Sequence, residues 1–433
     1  MSLKRKLTTF DLTMIAIGST IGSGIFFTPA LIARTLNDPF WILFVWFIGG
    51  LMALSGALTF SELGALFPEA GGVYVYLSKA YGDLAGFLYG WAYFLVVNTG
   101  GIAALAIAFA TYFGYFVHLN LLGIKLVGIF GIVFVTIINL IGVKAGGIFS
   151  DIFTVLKLIG IVGLIFVGFT FGSSATANLF GPIYTTQNIG SALAIAMVGV
   201  LWSYGGWQHA TFTAGEAINP RKSLPIAMII AALAVTLIYI STNIAYMFLM
   251  TPAEIGASQT LAADAVQKVL GGIGGSLIAI AIFISTFGTT GIYTLTAPRI
   301  YYAMANDKIF FPKIAELHPK FRTPIYAIVI QSLWAIILIL FWGTFENLIA
   351  YVVFTDWIFF GMTAASIFIF RKKFPELNRS YKTFGYPITP IFFIAMAIWF
   401  VINTLIEKPE QAWAGLIFLG LGVPVYLYWK RKL

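Results

Sequence analysis

Ile21-Gly22-Ser23-Gly24-Ile25 lies inside an apolar run long enough to cross a bilayer. Each glycine weakens a helix interior by about 1 kcal/mol relative to alanine. In hydrocarbon a broken helix also leaves backbone N–H and C=O groups without water, so a break persists only where protein buries it or where it lines a cavity. With the helix stopping near Ile21 and restarting at Ile25, carbonyls of the first half and N–H groups of the second converge on one space. The N–H end suits a carboxylate and the carbonyl end an ammonium group, a site for a zwitterion. Close helix packing through small residues accounts for the same glycines, so the stretch alone does not separate the two readings.

The composition around it is that of a polytopic membrane protein: 433 residues, 60% hydrophobic, 17% aromatic, 9% charged, with mean hydropathy +0.95. Such a chain is no ordinary soluble globule. Spans of about 20 apolar residues are expected at twelve places, with no length left for a soluble domain. In that topology 20 of the 25 Lys and Arg fall on one side, 4 on the other, and Lys157 inside a span. This positive-inside bias places both termini in the cytoplasm of a cell-membrane protein and removes nucleic acid as the reason for the net charge of +9. The absence of cysteine excludes a disulfide, a thiolate metal site and a disulfide-linked heavy subunit. His118, His209 and His318 show no metal-ligand spacing and read as single polar residues, so neither metal nor cofactor is expected.

The broken first span covers about 9–35, and the second, about 40–67, ends in Glu62-Leu63-Gly64-Ala65-Leu66-Phe67-Pro68-Glu69-Ala70-Gly71-Gly72, whose carboxylates are placed near the interface. Span three, about 84–115, carries Asn98 and Thr99, read as bonding a neighbouring helix. Span four is about 124–142. Span five, about 150–172, holds Lys157 two turns in, either a functional ammonium or one that snorkels to the cytoplasmic surface. The stretch from Gly172 to Gln187 lacks Lys and Arg, as an external loop should.

A second interruption then decides the fold: span six, about 189–216, is broken at Trp202-Ser203-Tyr204-Gly205-Gly206-Trp207, five spans after the first. Broken helices at corresponding positions of two five-span halves mark an inverted repeat whose interruptions meet at the membrane midplane. Span seven (about 225–249) contains Tyr239, and span eight (about 276–304) contains the hydroxyl-rich Ser285-Thr286-Phe287-Gly288-Thr289-Thr290, able to coordinate a cation or a lysine. Gly271 to Ser276 lacks the lysine and spacing of a phosphate-binding loop. Spans nine and ten are about 324–343 and 345–370. Asp356 near the middle of span ten is a candidate proton carrier or structural hydrogen-bond acceptor. Spans eleven and twelve, about 387–405 and 411–429, read as scaffold, and Lys430-Arg431-Lys432 closes the chain inside. The expected organisation is 1–175 for the first repeat, 176–383 for the second and 384–433 for the two added helices.

Together these residues resemble the amino acid-polyamine-organocation (APC) superfamily, and within it the L-amino-acid transporter (LAT) family, over essentially the whole chain. The resemblance rests on Gly22-Ser23-Gly24-Ile25-Phe26; Glu62 to Gly72 with Tyr76-Leu77 and Ala80-Tyr81-Gly82; Tyr204-Gly205-Gly206-Trp207; Glu216 with Asn219-Pro220-Arg221 and Pro225; and Ser285 to Thr290 leading to Arg299. It implies an all-α integral membrane protein of 12 transmembrane helices with a LeuT-like 5+5 inverted repeat, discontinuous helices 1 and 6, and alternating access. By that resemblance the Gly22-Ser23-Gly24 break binds substrate, with N–H groups of Ser23 and Gly24 meeting its carboxylate. Carbonyls of Thr20, Trp202 and Gly205 meet its amine, Ser203 lies beside them, and Trp202 is the aromatic gate. Lys157 matches a lysine that stands where sodium sits in related transporters, bridging the Gly18 carbonyl and Ser285, with Tyr239 near the bridge.

Sodium-independent exchange of neutral L-amino acids is the function these readings imply. Proton-coupled symport, with Lys157 or Asp356 carrying the proton, is the alternative, and an amino-acid sensor a distant third. No paired catalytic carboxylates, metal cluster or nucleophile–base arrangement suggests an enzyme.

Overall fold

A computed structural model of the chain describes residues 3–173, 188–341 and 345–431. The described residues are almost wholly helical, without a sheet. In chain order the helices are α1 (Thr9–Thr20), α2 (Gly24–Leu36), α3 (Pro39–Leu66), α4 (Val73–Tyr81), α5 (Asp83–Phe113), α6 (Leu121–Leu140) and α7 (Val143–Phe171). They continue as α8 (Ile189–Tyr204), α9 (Pro220–Leu249), α10 (Pro252–Ala257), α11 (Leu261–Thr296), α12 (Pro298–Asn306), α13 (Ile325–Phe341), α14 (Phe345–Lys373), α15 (Ile388–Glu407) and α16 (Pro409–Lys430). Ten described helical stretches are long and apolar enough to span a membrane, and α8 and α13 are shorter apolar helices of 16 and 17 residues. The expected external loop lies outside the described residues from 174 to 187, as does Lys432.

Local chemistry sets the helix starts. Thr8 and Asp11 form a reciprocal capping box on α1, and Thr251 and Glu254 form another on α10, where Pro252 takes the first helical position. Asp38 caps α3 ahead of Pro39. Three expected boundaries move. α7 begins at Val143, so Lys157 lies nearly four turns from its start and is only 1% exposed. That depth replaces snorkelling with burial. Residues expected as a loop before span eight are instead helical, in α10 and in α11, which runs through a kink at Gly271 (φ 68°). α9 starts at Pro220, ahead of the start expected near Pro225, which lies inside it.

The packing surrounds the two interruptions. α1 lies against α7 and α9, α2 against α8, and α11 against α5 and α7. α9 runs along α3, and α14 to α16 pack around one flank. Asn98 of α5 donates to Gln331 of α13 at 3.1 Å, the neighbouring-helix bond expected of it.

Buried ion pairs close the basic end of the bundle. Arg299 of α12 grips Glu216 with two guanidinium nitrogens at 2.7 and 3.0 Å, both side chains all but fully buried, and also donates to the Leu295 carbonyl. The Glu216 carbonyl in turn accepts the N–H groups of Lys6 and Leu7 at 2.7 and 2.9 Å, tying the start of the chain to the end of span six. Glu62, expected at the interface, is buried in protein, where Arg371 of α14 donates twice and the Thr383 N–H once. Nearby the Tyr74 phenol donates to Asp307 at 2.6 Å; burial first, then that carboxylate, pushes its pKa above the usual range.

Removing one member of a buried ion pair strands the other, at a cost of about 3–5 kcal/mol, whereas an apolar pair of similar volume is often neutral. Glu216→Ala or Arg299→Ala is therefore expected to lower the unfolding midpoint in detergent sharply. The double variant Glu216→Leu/Arg299→Met recovers most of the loss, checked by thermal unfolding of the four proteins side by side.

Candidate functional site at the paired helix breaks

The two interruptions touch. Gly206 has φ 132°, and a Cβ placed there would lie 2.5 Å from the carbonyl carbon of Ser19 and 2.6 Å from the Thr20 nitrogen. Only glycine allows that approach. The Ser19 hydroxyl lies 2.7 Å from the Gly206 carbonyl and 2.6 Å from that of Ile15, sharing one proton between them. Tyr239 of α9 sits beneath both breaks, its hydroxyl 2.9 Å from the Thr20 carbonyl and 3.0 Å from that of Ser203.

The restart at Gly24 exposes donors. Among the described residues the N–H groups of Ser23, Gly24 and Ile25 have no hydrogen-bond partner, as expected of the first turn of a helix. The carbonyl side is more selective than the expectation. Thr20 already accepts from Gly22 N–H and Tyr239, and the Trp202 carbonyl accepts the Gly205 N–H at 3.3 Å. The Gly205 carbonyl alone of the three lacks a partner among the described residues. A carbonyl has two lone pairs, so Thr20 is filled by the protein itself.

Gly24 serves packing as well as approach. A Cβ on it would fall 2.4 Å from the Ser203 hydroxyl and 2.7 Å from the Ser203 Cα. Ser203 also shares a 2.8 Å hydrogen bond with Thr28 of α2, so the two restarted segments are joined side to side. Trp202 donates from its indole to the Ser23 hydroxyl at 3.3 Å, laying the ring against the first break.

Lys157 meets the first break from the opposite side. Its Nζ donates to the carbonyls of Gly18 (2.8 Å) and Ile21 (2.6 Å) and to the Thr289 hydroxyl of α11 (2.6 Å). Three donors meet three acceptors, which is the complete capacity of an ammonium group. Here one expectation is corrected: the partner on α11 is Thr289, one turn beyond Ser285, whose hydroxyl makes no hydrogen bond among the described residues. Residues four apart share a helix face, so the hydroxyl patch holds the partner and the residue named within it was one turn off.

Asp356 does not join this cluster. It is 8% exposed, its Oδ1 has no partner among the described residues, and it borders a cavity of about 30 Å³ shared with Trp202, Gly205, Tyr93 and His209. Two neighbours escaped the sequence. Tyr93 opens a π-helical turn, Tyr93–Val97, inside α5, a distortion with no clear sequence mark that recurs at functional sites. His209, read as an isolated polar residue, is buried with Nε2 3.1 Å from the Tyr93 hydroxyl and Nδ1 2.5 Å from that of Thr296.

The pattern of the amino acid permease family matches residues 7–426. The serine/threonine exchanger SteT of Bacillus subtilis is 33% identical over 98% of this chain and 96% of its own length. The large neutral amino acids transporter small subunit 2 of Homo sapiens is 29% identical over the whole of this chain and 82% of its own. The b(0,+)-type amino acid transporter 1 of Mus musculus is 28% identical over the whole chain and 91% of its own.

The Gly24 contact gives a test free of any ligand. Gly24→Ala drives a methyl into Ser203, and since backbone as well as hydroxyl is struck, Ser203→Gly does not restore the fit. A small-to-large change in a packed site costs about 1–3 kcal/mol, so the expected result is a lowered melting midpoint for Gly24→Ala with at most partial recovery in the double variant.

Proposed function

The chain belongs to the amino acid permease family of the APC superfamily and is an amino-acid transporter of the membrane; on that premise we propose that it exchanges neutral L-amino acids without sodium, by alternating access. In this reading twelve helices form a LeuT-like 5+5 inverted repeat, 1–175 and 176–383, with 384–433 added, and both termini are cytoplasmic. The observation that carries it is the Lys157 ammonium on the carbonyls of Gly18 and Ile21 and the hydroxyl of Thr289. Carbonyl and hydroxyl oxygens around a break are the donor set a sodium ion needs. A covalently tethered cation in that place supplies the charge permanently and makes sodium dispensable.

Substrate binding follows from the remaining groups. The unpartnered N–H groups of Ser23, Gly24 and Ile25 receive the carboxylate, aided by the helix dipole, and the Gly205 carbonyl receives the ammonium. Tyr239, which holds both breaks together, is a positioning residue here, and Trp202 closes over the bound molecule as the gate. Neutral substrates agree with relatives named for serine, threonine and large neutral amino acids. Without cysteine the protein forms no disulfide to a heavy subunit and is proposed to work alone.

Purified protein in sealed liposomes tests the proposal. Labelled alanine uptake in sodium-free buffer is expected to require amino acid inside and to ignore an imposed pH gradient. Accumulation by empty liposomes only when the outside is acid would instead establish proton symport, and no uptake under either condition would sink the transport reading. Lys157→Ala removes three hydrogen bonds at the first break. It is expected to lower the exchange rate at least tenfold, since charged hydrogen bonds contribute about 1.5–3 kcal/mol each; an unchanged rate would leave the lysine a purely local role.

A further inference from the structure

Asp356 is a buried acid that neither the lysine cluster nor the backbone-binding groups use. Its carboxylate stands on α14 at the cavity of about 30 Å³ that Trp202 and Gly205 also line, and no protein donor reaches its Oδ1 among the described residues. Buried carboxylate oxygens are rarely left so.

The donors of His209 and Tyr93 beside it are already committed. The Thr296 hydroxyl gives its proton to the Ile292 carbonyl at 2.9 Å, so it accepts from His209, which places the imidazole proton on Nδ1. His209 Nε2 is then an acceptor and takes the Tyr93 hydroxyl proton. Tyr293 stacks on the imidazole, ring centroids 4.3 Å apart, and fixes its orientation. The chain of bonds runs away from the cavity and leaves Asp356 facing it as an acceptor without a donor. Gln208 also lines the cavity, and its carboxamide oxygen accepts the Gly206 N–H at 2.8 Å.

We infer that Asp356 determines specificity: it accepts a hydrogen bond from the hydroxyl of a short hydroxylated side chain, so that amino acids of the serine and threonine kind are preferred over isosteres lacking that group. The inference rests on the proposed binding of the amino-acid backbone at the two breaks, since a substrate so held beside Gly205 points its side chain at this cavity. The cavity of about 30 Å³ is large enough to admit a hydroxyl group. A site built to bond a hydroxyl rejects the analogue without it strongly, because its buried polar group is then left unpaired.

The test compares matched pairs, serine with alanine and threonine with valine, as competitors of labelled-alanine exchange in liposomes of the full-length protein. The wild type is expected to favour the hydroxylated member about tenfold or more. Asp356→Ala brings both ratios close to one, and Asp356→Asn, which keeps an acceptor, retains part of the preference. Ratios are read so that a general loss of rate cancels. Equal ratios in wild type and Asp356→Ala, or stronger competition by lysine or arginine than by serine, would overturn the inference while leaving exchange itself standing. Failure of the wild type to exchange any neutral amino acid would instead strike the transport reading. Thermal stabilisation of the wild-type protein in detergent needs no variant: serine and threonine must stabilise it more than alanine and valine, and equal shifts reject the assignment.

Discussion

The Lys157 ammonium is what allows a membrane helix to be broken. Cutting α1 from α2 frees carbonyls that no water can satisfy deep in a bundle, and unpaired backbone groups there cost several kcal/mol each. Lys157 answers the carbonyls of Gly18 and Ile21 with two of its three protons and binds α11 with the third. The lysine is satisfied in the same act, since an ammonium buried alone would be far more costly than the carbonyls it serves. Each partner thus removes the other's penalty. Tyr239 does the same with one phenol, set between the Thr20 and Ser203 carbonyls.

The basic end is held differently. There the links are ion pairs: Glu216 with Arg299, and Glu62 with Arg371. Desolvation offsets most of the attraction in such pairs, so they add little net stability, but breaking one is expensive. They therefore act as fixed joints that tie the end of span six to α12 and α3 to α14. Around the breaks, apart from the Lys157 ammonium, the contacts are neutral hydroxyls and carbonyls, individually worth about 1 kcal/mol. Alternating access, as proposed for this chain, needs that gradation, with the weak contacts where motion occurs.

The architecture was legible because its marks are local. Glycine pairs at 22–24 and 205–206 interrupt apolar runs, through close packing of Gly24 on Ser203 and the approach of Gly206 to Ser19. The depth of Lys157 was less legible: Gly146 and Gly147 read as connection, whereas packing of α7 on α11 keeps them helical. The choice between Ser285 and Thr289 turns on one helical turn along one face, which a single sequence does not resolve. Tyr93, His209 and Thr296 lie in distant segments, and nothing in their spacing foretells that a π turn brings the first to the second. Local signals reach as far as the helices; side-chain constellations depend on how those helices pack.

The same accounting bears on exchange as opposed to one-way release. Lys157 is satisfied whether or not substrate is bound, so its site places no demand on the cycle. The donors of Ser23, Gly24 and Ile25 and the Gly205 carbonyl are different, since nothing in the described protein pairs with them. Water serves them while the site is open, and closure expels it. A buried donor left unsatisfied costs about 1–3 kcal/mol, and every 1.4 kcal/mol on the barrier slows passage tenfold. With the amino acid bound as proposed, its carboxylate and ammonium occupy those groups, and the closed, loaded carrier escapes that penalty. Return without cargo is then the slow path, and a transporter whose loaded form alone crosses readily moves one amino acid in for each one out.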